Sequence, residues 1–156
     1  MTEQELVVIS RSVEKTRALG VRIGRRLREG AVVALHGELG SGKTCMVQGI
    51  AAGLGVAPLS CVNSPTFVII NEYNGPIPFY HFDLYRVADG RELIDLGWED
   101  YLDRRGVIAI EWAEKMGPLL PPDHISIGLE VTGETTRRIM ISGSNVKKIM
   151  KQDARR

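Results

Sequence analysis

Three groups of side chains in this sequence have the types and spacing that phosphate chemistry requires. The first is contiguous: Gly37-Glu38-Leu39-Gly40-Ser41-Gly42-Lys43-Thr44 satisfies G-x-x-x-x-G-K-[ST] at every fixed position. In such a loop the glycines permit tight turning, and main-chain N–H groups come close to phosphate oxygens. Glu38, Leu39, Gly40, Ser41, Gly42, Lys43 and Thr44 are therefore the expected nucleotide-binding set. Lys43 reaches the β- and γ-phosphates, and Thr44 offers its hydroxyl to Mg2+. A helix beginning near Lys43 points its partial positive end at the same anion. The chemistry implied is binding of a nucleoside triphosphate with magnesium.

The second group is Glu111, which follows the apolar run Val107-Ile108-Ala109-Ile110. A phosphate loop needs a carboxylate for its metal, commonly at the end of a neighbouring buried strand. Burying a carboxylate without compensation costs several kcal/mol, roughly, and a divalent cation supplies compensation. Glu111 can ligate the metal directly, hold a metal-bound water or orient the attacking water; the sequence leaves these open. Trp112 is expected to face away from Glu111 and to pack, or else to form part of the site rim.

The third group is Asp83 on the aromatic segment Phe79-Tyr80-His81-Phe82-Asp83-Leu84-Tyr85. A period of two puts Tyr80, Phe82 and Leu84 on an apolar face and His81 and Asp83 on the other. Asp83 can position water or complete the magnesium shell; alternatively it pairs with Arg86 or caps the following turn. His81 is read as structural. Thr66, in the stiff extended Ser64-Pro65-Thr66, can report on the γ-phosphate as switch threonines do, or simply begin a strand. Arg137 and Arg138 can face nucleotide, a nucleic acid or solvent.

The elements that must position these groups are legible in outline. Leu6-Val7-Val8-Ile9 reads as a first strand, and Thr16, Leu19, Ile23 and Leu27 recur at helical spacing. Ala31 to His36 is the strand leading into the phosphate loop, and Met46, Val47, Ile50, Ala51 and Leu54 mark the helix leading out. Strands are expected over 67–73, 79–85 and 107–110, with a helix over 92–102 interrupted at Gly97. Residues 124–131 and 138–141 read as an antiparallel pair around Thr132-Gly133-Glu134. The fold class predicted is α/β: a single-domain P-loop NTPase with a mixed sheet, a parallel core and antiparallel additions. Nucleotide belongs at the carboxyl ends of the parallel strands. Residues 1–143 form the domain, and 144–156 a basic tail, weakly helical or disordered.

Composition narrows the class further. The 156 residues suit one domain, and 44% apolar with 25% charged residues excludes a disordered chain. Net charge is +1, so global charge does not announce a nucleic-acid binder. Charge is nevertheless uneven. Residues 72–103 hold eight acids and two arginines, and residues 147–156 hold five basic residues and one acid. Cys45 and Cys61 lack metal-ligand spacing and suit a reducing compartment. No apolar run approaches the ~20 residues needed to span a bilayer, so a cytoplasmic protein without a membrane role is expected. Asn-Lys-x-Asp is absent, so the guanine-reading signature of GTPases is missing.

Taken in order, the phosphate loop, Ser64-Pro65-Thr66-Phe67, His81-Phe82-Asp83-Leu84-Tyr85-Arg86 and Ile110-Glu111-Trp112 closely resemble the TsaE (YjeE) family of tRNA threonylcarbamoyladenosine biosynthesis. The landmarks span residues 37–112. The resemblance implies a weak intrinsic ATPase that binds ATP and Mg2+ and acts with TsaB and TsaD, the latter transferring the threonylcarbamoyl group to the adenosine beside the tRNA anticodon. Carried over by motif, Lys43 and Thr44 bind phosphate and metal, Glu111 is the metal acid, Asp83 is needed for hydrolysis, and Thr66 lies in a switch-like segment. Contact with tRNA is then through the complex, direct contact being open. A small-molecule kinase using the same cradle, and a nucleotide-dependent assembly factor, are the competing expectations.

Overall fold

The computed structural model describes residues 4–56, 70–88, 90–143 and 145–150; Thr66 with its Ser64-Pro65-Thr66-Phe67 segment, Cys61 and the tail after Met150 lie outside the described residues. Strand β1 (Gln4–Ser10) leads into helix α1 (Val13–Arg26), whose N-cap Ser12 accepts a hydrogen bond from the Lys15 N–H at 3.1 Å. Strand β2 (Val32–His36) runs into the phosphate loop, and helix α2 (Lys43–Gly53) runs out of it. Strands β3 (Ile70–Tyr73) and β4 (Phe79–Asp83) follow, then short helices α3 (Gly90–Asp95) and α4 (Trp98–Asp103). Strand β5 (Val107–Glu111), a 3-10 helix (Ala113–Leu119), strands β6 (Ile125–Val131) and β7 (Arg137–Gly143) and helix α5 (Val146–Met150) are the remaining elements among the described residues.

Among the described residues, seven strands join one sheet in the order β1-β7-β6-β2-β5-β4-β3. The central four, β6, β2, β5 and β4, are mutually parallel, while β7, β1 and β3 add antiparallel. The mixed sheet with a parallel core is thus as the sequence implies. Both faces of β2 and β5 are covered, which is why these strands read as unbroken apolar runs. Val33, Leu35 and Ala109 pack with Ile23, Met46 and Ile50 of α1 and α2 on one side; Val32, Ala34, Ile108 and Ile110 pack with Phe82, Leu93 and Trp98 on the other. On the second side Phe82 meets Trp98 and Tyr101 edge-on, with centroids 5.1 and 5.2 Å apart.

Helices α1 and α2 pack backbone to backbone through two pairs of glycines. Gly20 lies against Gly49 and Gly24 against Gly53, each with a 3.0 Å clearance from a notional Cβ to the facing Cα. No side chain fits at this crossing: a Cβ at Gly24 would stand 2.2 Å from the Ile50 carbonyl oxygen, and one at Gly49 2.2 Å from that of Arg17. The helix that carries Lys43 and Thr44 is therefore held tightly against α1.

Three boundaries differ from the periodicity. The expected strand over 79–85 ends at Asp83: Leu84 N–H to the Glu111 carbonyl at 3.1 Å is the last rung of the β4–β5 pairing, and the chain then turns, with the Asp83 side chain accepting from Tyr85 N–H at 3.0 Å. The expected interrupted helix over 92–102 is two helices, since Gly97 takes φ +82°, a left-handed value that ends one helix and starts the next. The basic tail begins with a single helical segment, α5, whose Val146 is buried against the core.

Candidate functional site

Parallel pairing decides which side chains meet at the carboxyl ends of the strands. Register places Leu35 beside Glu111 and Asp83 beside Glu111, so the loop, the predicted metal acid and the second acid converge at one end of the sheet. The loop shape depends on glycine at two points. Gly42 takes φ +105° as the N-cap of α2, and a Cβ at Gly37 would lie 2.5 Å from Ser41 Oγ and 2.7 Å from the Leu129 carbonyl oxygen. A short turn inside the loop is closed by Ser41 N–H bonding the Glu38 carbonyl at 3.0 Å.

Lys43 is almost wholly buried, and its ammonium donates to the carbonyls of Gly37 and Glu38, the latter at 2.9 Å. It also stands 4.2 Å from the centroid of the Trp112 ring, within cation–π range. Burial pushes the Lys43 pKa down, while the negative charges of Glu111, Glu114 and Asp83 act the other way and favour the ammonium. The backbone explains Trp112. Its φ of +59° breaks the strand after Glu111 and swings the ring over Lys43 and against Tyr85, 5.0 Å between centroids. Trp112 therefore packs, and it does so on Lys43 at the rim of the loop.

Glu111 is 3% exposed and its two oxygens are both engaged. Oε1 accepts from the Thr44 hydroxyl at 3.0 Å, and Oε2 accepts from His81 Nε2 at 2.6 Å. These bonds compensate the burial of the carboxylate. His81 itself is fully buried, and its Nδ1 has no hydrogen-bond partner among the described residues. The histidine was set aside as structural from sequence, and that reading missed its contact. The available signal was its sharing of a strand face with Asp83.

Asp83 is half-buried at the end of β4, with one oxygen capping the turn through Tyr85 N–H. Thr66 falls outside the described residues, so its place relative to these groups is not part of the site described here. Arg137 reaches the phosphate loop, bonding the Ser41 carbonyl at 3.0 Å, whereas Arg138 lies with Glu130 at 3.7 Å in an exposed pair.

The donor set fits a magnesium nucleotide. Thr44 and Glu111 present hard oxygen atoms side by side, and magnesium uses one or two carboxylates together with substrate phosphates and water rather than an all-protein cage. Among the described residues, no group of three or more His, Cys, Asp or Glu side chains could hold a metal ion. Nor, among them, is any helix long and apolar enough to cross a membrane.

Comparison with known proteins identifies the family. Residues 10–139 match the family model described as threonylcarbamoyl adenosine biosynthesis protein TsaE. The TsaE protein of Treponema pallidum is 39% identical over 134 residues, covering 86% of this chain and 98% of that protein. That of Bacillus subtilis is 41% identical over 127 residues, covering 81% and 78% respectively. The crystal structure of Bacillus subtilis YdiB superposes with a TM-score of 0.77 at 30% identity, covering 96% of this chain and 93% of that one. With the phosphate loop intact and the match running through nearly all described strands, the chain belongs to the TsaE family of tRNA threonylcarbamoyladenosine biosynthesis proteins.

Proposed function

We propose that this chain is a magnesium-dependent ATP hydrolase of the cytoplasm that supports threonylcarbamoylation of the tRNA adenosine next to the anticodon, acting with TsaB and TsaD. The observation that carries the reading is the contact between Thr44 and Glu111, 3.0 Å apart at the end of the sheet where Lys43 and the loop amides also lie. Thr44 and Glu111 would hold the metal. Magnesium, when bound, neutralises charge on the β- and γ-phosphate oxygens. Loop N–H groups donate to the phosphates, and Lys43 adds positive charge where it develops as water attacks in line. Asp83 accepts a hydrogen bond from that water and orients it. Hydrolysis is weak in the isolated chain and is coupled to turnover of the complex, the transfer itself being carried by TsaD.

The test is multiple-turnover tRNA threonylcarbamoylation reconstituted with TsaB, TsaD, ATP and Mg2+, with and without this chain. Wild type should restore turnover; Lys43→Ala should fail to bind nucleotide, and Glu111→Gln should bind it but not sustain turnover. Full modification by a Glu111→Gln variant that binds ATP and does not hydrolyse it would make the chain an assembly factor. Phosphate appearing on an acceptor metabolite would make it a kinase.

A further inference from the structure

Arg137, the first residue of β7, is half-buried beside the phosphate loop, 97 residues along the chain from Gly40. Its guanidinium makes four hydrogen bonds, all to main-chain carbonyls. Nε donates to Ser41 O at 3.0 Å and Nη2 to Gly40 O at 3.3 Å. Nη1 donates to Gly133 O at 3.1 Å and Thr136 O at 3.0 Å, in the turn between β6 and β7. A planar fork with fixed donor directions is the one side chain that can bridge two backbone segments in this way.

The two loop carbonyls matter because a trans peptide holds its C=O and N–H in opposite directions. Fixing the Gly40 oxygen and bonding the Ser41 N–H to Glu38 O pins that peptide plane at both ends. Fixing the Ser41 oxygen turns the Gly42 N–H away from the guanidinium. A phosphate cradle needs its carbonyls turned out and N–H groups turned toward the anion, here that of Gly42 rather than the Ser41 N–H already bonded within the loop. A single rotated plane would put a carbonyl oxygen where a phosphate oxygen must come.

We propose that Arg137 is a positioning residue that locks the Gly40–Gly42 backbone in the phosphate-accepting orientation and ties it to the β6–β7 turn. It sets affinity for the nucleotide phosphates without touching the reacting atoms. The proposal rests on the reading of residues 37–44 as a triphosphate site.

Two measurements on the full chain test it. The first is hydrogen exchange at Ser41 in ligand-free protein; the second is affinity for fluorescent ATP and ADP analogues with Mg2+. Arg137→Ala and Arg137→Lys should both exchange faster at Ser41 and bind both nucleotides more weakly by about tenfold, the scale of one or two lost hydrogen bonds. Lysine keeps the charge but cannot span four carbonyls, so it should not rescue; millimolar guanidinium should partly restore binding to Arg137→Ala. Unchanged exchange and affinities within twofold of wild type, in variants with a native circular dichroism spectrum, would overturn the clamp. So would unchanged affinity with lost hydrolysis, which would place Arg137 on the reacting phosphate instead. Should wild type bind no nucleotide, the triphosphate reading fails; faster Ser41 exchange in Arg137→Lys then still supports the clamp, and unchanged exchange overturns it.

Discussion

His81 Nε2 lies 2.6 Å from Glu111 Oε2, so the carboxylate that faces Thr44 with one oxygen is anchored by a buried imidazole through the other. Neither side chain reaches solvent to any useful extent, at 0% and 3% exposure. Removing the imidazole therefore leaves a buried carboxylate oxygen without this partner, and hydrogen bonds to charged groups are worth about 1.5–3 kcal/mol. His81→Phe should lower unfolding free energy by about that amount in urea titration. It should also reduce ATP turnover by more than tenfold while leaving nucleotide affinity within a few-fold, because the loop itself is untouched. Wild-type turnover in a folded His81→Phe protein would show that Glu111 holds its position without the histidine.

Asp83 combines two roles that a single alanine substitution confounds. One carboxylate oxygen caps the Tyr85 N–H at 3.0 Å, and the charge lies at the strand end beside Glu111. Asn retains the accepting oxygen and removes the charge. Asp83→Asn should thus keep stability within about 0.5 kcal/mol of wild type, whereas Asp83→Ala should lose about 1 kcal/mol, a typical side-chain cap. Both should depress hydrolysis. Full hydrolysis in Asp83→Asn would confine this residue to capping.

What the sequence discloses about this site follows from distance along the chain. The phosphate loop is contiguous, so its motif and flanking periodicity identify Lys43 and Thr44 without any tertiary information. Glu111 is legible because a carboxylate directly after an apolar strand is anomalous in itself. His81 and Arg137 are different. Their roles depend on β4 pairing with β5 and on β7 lying near the loop, and neither relation has a local signature. The glycines of α1 and α2 were equally opaque: at helical spacing they look like weak positions, and only the crossing shows the missing side chains to be the point.

That crossing predicts an unusually high cost for the smallest possible substitution. Alanine ordinarily favours a helix over glycine by about 1 kcal/mol. At Gly49, however, the added Cβ would meet the Arg17 carbonyl oxygen at 2.2 Å and the Gly20 Cα at 2.9 Å, both on backbone that cannot rotate away. Gly49→Ala should destabilise the protein by roughly 3 kcal/mol, at the upper end of the common range for overpacking. Thermal or urea unfolding checks this, and a stabilising outcome would mean that α1 and α2 are less closely packed.

Cys45 gives a prediction in pH. Burial raises its thiol pKa; the positive charge of Arg17 opposes this and the negative charge of Glu14 adds to it. The thiol also donates to the Val13 carbonyl at 3.4 Å. Since the thiolate is the nucleophile, alkylation of Cys45 by iodoacetamide, in a Cys61→Ser background, should rise only above the ordinary thiol range. The linked stability has a definite sign. With the folded pKa raised, the native state holds the proton more tightly, so this contribution is complete below pH 9.0 and is lost as pH rises through the folded pKa. Cys45→Ser should flatten that alkaline loss.

Trp112 should report occupancy of the phosphate loop. The chain has two tryptophans; Trp98 is 1% exposed inside the α4 core with its indole N–H on the Leu119 carbonyl at 3.2 Å, remote from any ligand. Trp112 instead has the Lys43 ammonium 4.2 Å from its ring centroid and the Tyr85 ring tilted against it at 39°. Lys43 cannot serve the Gly37 and Glu38 carbonyls, the indole face and a triphosphate equally, so binding must move positive charge relative to the ring. Adding ATP with Mg2+ should change tryptophan emission in wild type and in Trp98→Phe, and the change should vanish in Trp112→Phe. Lys43→Met should already show altered emission without nucleotide and no response to it. An undiminished response in Trp112→Phe would mean that the lysine stays under the ring and that the phosphates are met by the loop amides alone.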